Sequence, residues 1–310
     1  MQELRERFRG ALLGAAVGDA LGAKFEGARV VPCYALEQLL EEPGELCYTD
    51  DTHMMLGMAE SLLECRGFDG RHMADTFARN YFAQPWRGYG SGPPRVFELI
   101  VRGEPWDKAS SLLFGGLGSY GNGAAMRVAP AGLLKYREPG LAAEIANDSA
   151  LITHSHELGR EGAVLQACAV ALLVRQPDGT SFNQGAFLAD LEKYIRTPAL
   201  HRKMEQIRLL LPAAASADAA AALGNGVAAH ESVPAALYSF LSHAGSFSDA
   251  VIYAVSLGGD TDTIACMTGA LAGARLGEKA IPAVWRHRVE DAARLRELAD
   301  ALFSLAAPEL

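Results

Sequence analysis

SLGGDTDTIACMTGALAGARLG, residues Ser256 to Gly277, opens on a glycine pair, sets Asp260, Asp262 and Thr263 within four positions, and continues as small and apolar residues. Paired glycines let the backbone turn tightly, and a helix starting near Thr261 would carry its acids on the first turn. Two carboxylates and a hydroxyl are hard oxygen donors, better suited to Mg²⁺ or Ca²⁺ than to zinc. One acid alone needs no metal, since aspartate is a common helix N-cap. A second stretch of the same kind changes that reading. YTDDTHMMLGMAESLLECRGFD, Tyr48 to Asp69, places Thr49, Asp50, Asp51 and Thr52 ahead of Met54, Met55, Met58, Ala59, Leu62 and Leu63 at helical spacing. If the two helix starts face each other, four carboxylates and at least two threonine hydroxyls converge. Helix dipoles offset the mutual repulsion only in part, and one or two divalent cations would neutralise it, as in two-metal hydrolytic sites.

Outward from these two stretches the chain reads as helix after helix, with almost no alternating β pattern and no solenoid period. An all-α, single compact multi-helix domain over residues 1–310 is expected, with a central two-metal cleft. From Leu4 to Gly22, Phe8, Leu12, Leu13 and Val17 mark an apolar face, and Gly10, Gly14, Gly18 and Gly22 recur every four residues. Glycine costs a helix about 1 kcal/mol relative to alanine, so such a row predicts close approach of another helix. Asp19, inside this apolar segment, reads as a buried acid bonded to a neighbouring helix end and not as a ligand. Further helices are expected at Ala35–Glu42, Arg71–Gln84, Pro94–Val101, Ala124–Leu134, as a broken pair within Ala142–Val174, at Arg175–Pro198 and Leu200–Ala222, as two in Leu223–His243, and at Asp249–Ser256 and Glu290–Leu305.

Hydrophobic residues make up 50% of the 310 and charged ones 21%, which is the balance of a folded globular protein. A formal net charge of −9 argues against general nucleic-acid binding and means that an anionic ligand needs local help from metal ions and backbone N–H groups. Cys33, Cys47, Cys65, Cys168 and Cys266 are odd in number, widely spaced and without a CxxC pair. Reduced, buried thiols in a cytoplasmic protein are expected. The N-terminus is a poor signal peptide, and no apolar run is long enough to span a bilayer.

LLFGGLGSYGNGAAMRVAP, Leu112 to Pro130, surrounds Ser119, Tyr120 and Asn122 with glycines ahead of a helix, an arrangement that offers unpaired N–H groups to a phosphate or is simply a turn. His154 and His156, two apart, cannot share a helical face, which excludes a zinc pair; one of them bonding a ligand or a neighbouring backbone is the better reading. Glu26, between Phe25 and Gly27, reads from its neighbours as a surface acid at a helix exit.

The stretches RFRGALLGAAVGDALG (7–22), YTDDT (48–52), GNGAAMR (121–127) and SLGGDTDTIA (256–265) resemble the ADP-ribosylglycohydrolase family over nearly the whole chain. RGYGSG (87–92), GSYGNGAAMRVA (118–129) and LGNGVAAHESVPAALYSFL (223–241) are more similar to the branch that removes serine-linked ADP-ribose and degrades poly(ADP-ribose) than to the arginine-directed branch. The resemblance implies two Mg²⁺ ions held by Thr49, Asp50, Asp51, Asp260, Asp262 and Thr263; Asp262, central in the D-T-D-T group, is the expected bridging carboxylate. The resemblance also implies a mobile glutamate, Glu26, near the scissile bond; Glu26, Asp51 and Asp262 are then the expected catalytic group. Phe114, Gly118, Ser119, Tyr120, Gly121, Asn122 and His154 match residues that hold ADP-ribose. Departures fall in peripheral segments, including a shorter stretch between Gln176 and Ala222. ADP-ribose, ADP-ribosylated proteins or poly(ADP-ribose) are the implied partners, and a monomer is expected. Hydrolysis of arginine-linked ADP-ribose, or binding of ADP-ribose without turnover, stand as alternatives.

Overall fold

A computed structural model of the chain describes residues 1–32, 34–36, 38, 44–176, 181–211 and 214–307. The helices run in the order α1 (Gln2–Gly22), α2 (Asp50–Glu64), α3 (Gly70–Ala83), α4 (Gly92–Val101), α5 (Ala129–Leu134), α6 (Pro139–Ala150), α7 (Glu157–Val174), α8 (Gln184–Leu191), α9 (Pro198–Leu210), α10 (Ser216–Leu223), α11 (Ala229–Ser242), α12 (Phe247–Ser256), α13 (Thr261–Leu276), α14 (Ala283–Arg288) and α15 (Ala292–Ala306). Among the described residues no strand forms; the extended backbone makes only two isolated bridges, Leu46 with Val289 and Gly121 with Ala228. The all-α expectation holds, in one compact body.

At its centre α1 and α13 pack antiparallel. Both are buried on every side, α1 from Gly10 to Gly22 and α13 from Thr261 to Ala274, which is why neither shows a one-sided apolar stripe. The glycine row on α1 lies against the α13 backbone. A Cβ at Gly10, Gly14, Gly18 or Gly22 would collide with the carbonyl oxygen of Gly273, Gly269, Ala265 or Thr261 respectively, and Gly269 and Gly273 meet the α1 backbone in return. At the end of this contact the Thr261 hydroxyl donates to the Gly22 carbonyl at 2.8 Å. The antiparallel register therefore lays the start of α13 beside the end of α1.

Several helix limits differ from the sequence reading. Ala124–Leu134 is not one helix: a 3₁₀ turn at Asn122–Ala124 is followed by a separate α5 beginning at Ala129. The reason lies in Arg127, whose buried side chain draws the intervening turn inwards, as described below. α14 was not anticipated, and the region 175–222 holds α8, α9 and α10 in place of two longer helices. Part of the Ala35–Glu42 segment, and Cys33, lie outside the described residues. Cys168 and Cys266 are buried, but Cys47 and Cys65 are exposed, against expectation. Cys47 sits on an extended segment whose alternation turns Leu46 and Tyr48 inwards and Cys47 outwards, and Cys65 caps the end of α2. No described helix is long and apolar enough to cross a membrane.

Gly18→Val should cost at least ~3 kcal/mol in chemical denaturation, the upper range for overpacking, because the obstacle is backbone and cannot rotate away. Gly67, with open space around its missing Cβ, should accept alanine within ~0.5 kcal/mol.

Candidate active site

Asp19, one turn before the end of α1, is fully buried and faces the start of α2. Its Oδ1 accepts from the Thr49 N–H at 3.0 Å and the Thr49 hydroxyl at 2.8 Å. Its Oδ2 accepts from the Thr52 N–H at 3.0 Å and the Thr52 hydroxyl at 2.6 Å. Asp19 thus caps α2 from another helix, the role its neighbours in sequence suggested, and satisfies donors that the helix start leaves open. The segment leading into α2 is held from the other side. Leu46 exchanges backbone hydrogen bonds with Arg288 and Glu290, the Tyr48 hydroxyl donates to Asp291 at 2.7 Å, and Arg87 lies 4.4 Å over the Tyr48 ring while pairing with both Glu290 oxygens at 2.7 Å.

The start of α13 is built by the glycine pair. Gly258 and Gly259 have φ of 69° and 75°, a left-handed turn that glycine adopts without strain. The Gly259 N–H donates to Ala28 and its carbonyl accepts from Gly27, both at 2.8 Å, so the turn also fastens the loop carrying Glu26. Asp260 stands at the N-cap position but makes no capping bond; its carboxylate instead accepts from the Asn122 amide. The plain N-cap reading of this acid is thereby replaced.

These two helix starts share one cleft of about 560 Å³, within the usual size of a small-molecule site. Asp50, Asp51, Asp260, Asp262, Thr263 and Glu26 line it. Thr49 stands just behind, its hydroxyl 3.2 Å from Asp51 Oδ2, and the Thr263 hydroxyl reaches the same oxygen from the other helix at 3.4 Å. Carboxylate oxygens of Glu26, Asp260 and Asp262 lie within 4.8 Å of one another. Asp51 Oδ1 is buried and has no hydrogen-bond partner among the described residues, an open acceptor of the kind a cation satisfies. The electrostatics agree. Burial, then the neighbouring acids, hold Asp50 and Asp51 well above the usual carboxylate range and push Asp262 up to about 7. Asp262 first, then burial, raises Glu26. Crowded oxygen donors with an unsatisfied acceptor fit hard divalent cations.

The opposite wall is the glycine loop. Phe114, Gly118, Ser119, Tyr120, Gly121, Asn122 and His154 all line the same cleft. Phe114 and Tyr120 are each 53% exposed, and Phe114 holds a φ of 51°, unusual for a side chain of that size. The loop is strapped to the segment before α11: Asn122 N–H donates to the Val227 carbonyl at 2.9 Å, and Ala229 N–H to the Tyr120 carbonyl at 3.0 Å. Asn225 extends the strap to the other wall, its carbonyl accepting from the Asp260 N–H at 2.8 Å. The N–H groups of Ser119 and Tyr120 donate to no protein group among the described residues. His156 is turned to structural use, its Nδ1 accepting from the Leu158 N–H at 3.1 Å.

A family model described as ADP-ribosylglycohydrolase matches residues 1–309. The chain belongs to the ADP-ribosylglycohydrolase family. It is 36% identical to the ADP-ribosylhydrolase ARH3 of Danio rerio, covering 96% of this chain and 90% of that one, and 36% identical to the ARH3 of Homo sapiens, covering 92% and 89%. A solved structure titled ADP-ribosylglycohydrolase-related protein complex superposes with a TM-score of 0.78 at 31% identity, covering 99% of this chain and all of the other. The protein is a hydrolase of glycosyl bonds.

In this glycohydrolase the sequence reading passed over Arg127, which is fully buried behind the glycine loop. It donates to the Gly123 carbonyl at 3.1 Å, the Ser149 carbonyl at 3.0 Å and the Thr153 hydroxyl at 2.8 Å, and stacks 4.7 Å over the Phe77 ring. Burial draws its pKa down to about 9, which still leaves it charged near neutrality. No carboxylate pairs with it among the described residues. The signal was an arginine inside the otherwise small and apolar run AAMRVAP. The loop at Gly88, Gly90 and Ser91, within the RGYGSG stretch and carried by the Arg87–Glu290 pair, also lines the cleft.

Asp19→Ala should lower stability by about 2–4 kcal/mol, since it opens a cavity and leaves the donors of buried Thr52 and half-buried Thr49 without what was a charged acceptor. Calorimetry should also show weaker Mg²⁺ binding in this variant, although Asp19 is not itself read as a ligand; unchanged stability would contradict the capping role.

Proposed function

We propose that the protein is a Mg²⁺-dependent hydrolase that cleaves the glycosidic bond joining ADP-ribose to serine side chains or to the next unit of poly(ADP-ribose). The observation that carries this reading is the meeting, in one cleft, of two threonine–aspartate helix starts with a glycine loop flanked by exposed aromatics. Thr49, Asp50, Asp51, Asp260, Asp262 and Thr263 would hold two Mg²⁺ ions, with Asp262 between them. The ions would supply Lewis acidity towards the ribose hydroxyls and a water of lowered pKa.

The chain's own groups account for the rest. The free N–H groups of Ser119 and Tyr120 suit a pyrophosphate, and Phe114 and Tyr120 offer faces for adenosine or ribose. Buried Arg127 supplies, one carbonyl behind the loop, the local positive field that a chain of net charge −9 otherwise lacks. Departure of the acceptor builds oxocarbenium character at the anomeric carbon, which the surrounding carboxylates favour. Glu26, exposed at the rim and raised in pKa by Asp262, would take a proton from water or return one to the leaving oxygen through its carboxylate. Asn122 keeps the Asp260 carboxylate turned into the cleft. The serine- and polymer-directed choice rests on the RGYGSG, GSYGNGAAMRVA and LGNGVAAHESVPAALYSFL stretches, each of which contributes residues to the cleft, while the similarity to proteins named ADP-ribosylhydrolase ARH3 supports ADP-ribosyl hydrolysis as such. A monomeric, cytoplasmic protein is part of the same proposal.

Turnover of serine-linked, arginine-linked and polymeric ADP-ribose, each with Mg²⁺ and with EDTA, tests it. Release from the serine-linked or polymeric substrate with Mg²⁺ and none with EDTA is expected; release from the arginine-linked substrate alone would transfer the activity to the N-glycosidic bond. Glu26→Gln should hold ADP-ribose affinity within a few-fold while lowering the rate about a hundred- to ten-thousand-fold. An unchanged rate would leave Glu26 as a surface acid.

A further inference from the structure

His154 is buried at the back of the cleft, and among the described residues only one of its ring nitrogens has a partner: Nδ1 lies 2.8 Å from the Thr153 hydroxyl. That hydroxyl also stands 2.8 Å from an Arg127 Nη1. A guanidinium only donates, so this contact occupies a lone pair of Thr153 Oγ1 and leaves its single hydrogen to be placed. Thr153 is itself buried, and His154 Nδ1 is the acceptor within reach of that hydrogen among the described residues. Were the imidazole proton on Nδ1, the hydroxyl would receive two donors and its own hydrogen would be buried without an acceptor, the costlier arrangement. The chain Arg127 to Thr153 to His154 therefore has one consistent direction, and it leaves the ring proton on Nε2.

Nε2 is the nitrogen on the loop side. A Cβ built on Gly121 would stand 3.4 Å from it, and one on Gly123 2.9 Å. This is the loop whose Ser119 and Tyr120 N–H groups are free. We propose that Thr153, backed by Arg127, is a positioning residue that holds His154 as the Nε2–H tautomer, so that His154 serves as a fixed donor to the pyrophosphate of ADP-ribose. The inference rests on the substrate proposed above. Burial, then the nearby Arg127 charge, draw the His154 pKa down to about 3, so the ring stays neutral and the donor depends on the tautomer instead of on protonation. The same tautomer removes His154 as a base on the cleft side, which leaves proton transfer to the carboxylates.

The direct test is the ¹⁵N spectrum of the histidine rings in the full chain with Mg²⁺ at neutral pH, His154 being assigned by its loss in His154→Gln. Protonated Nε2 and bare Nδ1 are expected, with the Nε2 resonance moving on addition of ADP-ribose. Thr153→Val should weaken ADP-ribose binding about tenfold and populate the Nδ1–H form, while Thr153→Ser, which keeps the hydroxyl, should stay within twofold of the parent. A parent ring protonated on Nδ1, or on both nitrogens, overturns the proposal. So does a Thr153→Val variant that binds ADP-ribose as the parent does, or a Thr153→Ser variant as weak as the valine one. Should Thr153→Val not fold, the parent spectrum and the serine variant still decide. A parent with Nε2–H that binds no ADP-ribose brings down the substrate reading and, with it, the assignment of the donor to a pyrophosphate. A parent with Nδ1–H that binds normally overturns the tautomer inference alone.

Discussion

Backbone touches backbone along the antiparallel contact between α1 and α13, and the placement of every group in the cleft follows from it. Four glycines on α1 leave no side chain to separate the helices, and Gly269 and Gly273 answer from α13. Close approach of this kind fixes the axial register, because carbonyls of one helix seat in the gaps of the other. With the register set, the end of α1 lies beside the start of α13, and Asp19 is carried beneath the start of α2. The row sacrifices local helix propensity for this fit. Burial on all sides returns stability through packing that no exposed helix could obtain.

Bringing four aspartates and Glu26 to one cleft is electrostatically unfavourable without a counter-charge. The raised pKa values along both helix starts express that cost, burial leading and neighbouring acids adding to it. Two buried groups share the task of holding the arrangement. Asp19 takes up the donors of α2 by hydrogen bonding, which frees Asp50 and Asp51 from capping work. Arg127 does the converse on the opposite wall, a cation with no carboxylate partner among the described residues that faces carbonyls and a hydroxyl. An acidic cluster on one side and a glycine loop with exposed aromatics on the other line the same cleft.

Much of this was legible in the residues. The repeated threonine–aspartate pattern and the glycine spacing named both helix starts and the contact that joins them, and Asp19 read correctly because an acid inside an apolar helix must find donors. Less legible were features that depend on distant partners. Whether Asp260 caps its own helix or turns to Asn122 is decided by a residue 138 positions away. Arg127 looked like the end of a motif because nothing local shows that the chain folds around it. Frequent burial of the residue type outweighed, for Cys47, the alternation Leu46–Cys47–Tyr48, too short an extended segment to register as a pattern, and, for Cys65, its place at the exposed end of α2. Helix ends in 175–222 blurred for a related reason: alanine-rich sequence supports helix almost anywhere, and tertiary contacts choose the breaks.

The central claim, that the two helix starts form one metal-holding site shared with the ribose of ADP-ribose, is tested most directly by titration calorimetry of each ligand in the presence and absence of the other. Linkage requires that Mg²⁺ and ADP-ribose strengthen each other's binding by the same factor if they meet at these carboxylates. Mutual strengthening of about tenfold or more, lost in Asp262→Asn, is expected. Equal ADP-ribose affinity with Mg²⁺ and with EDTA would contradict it.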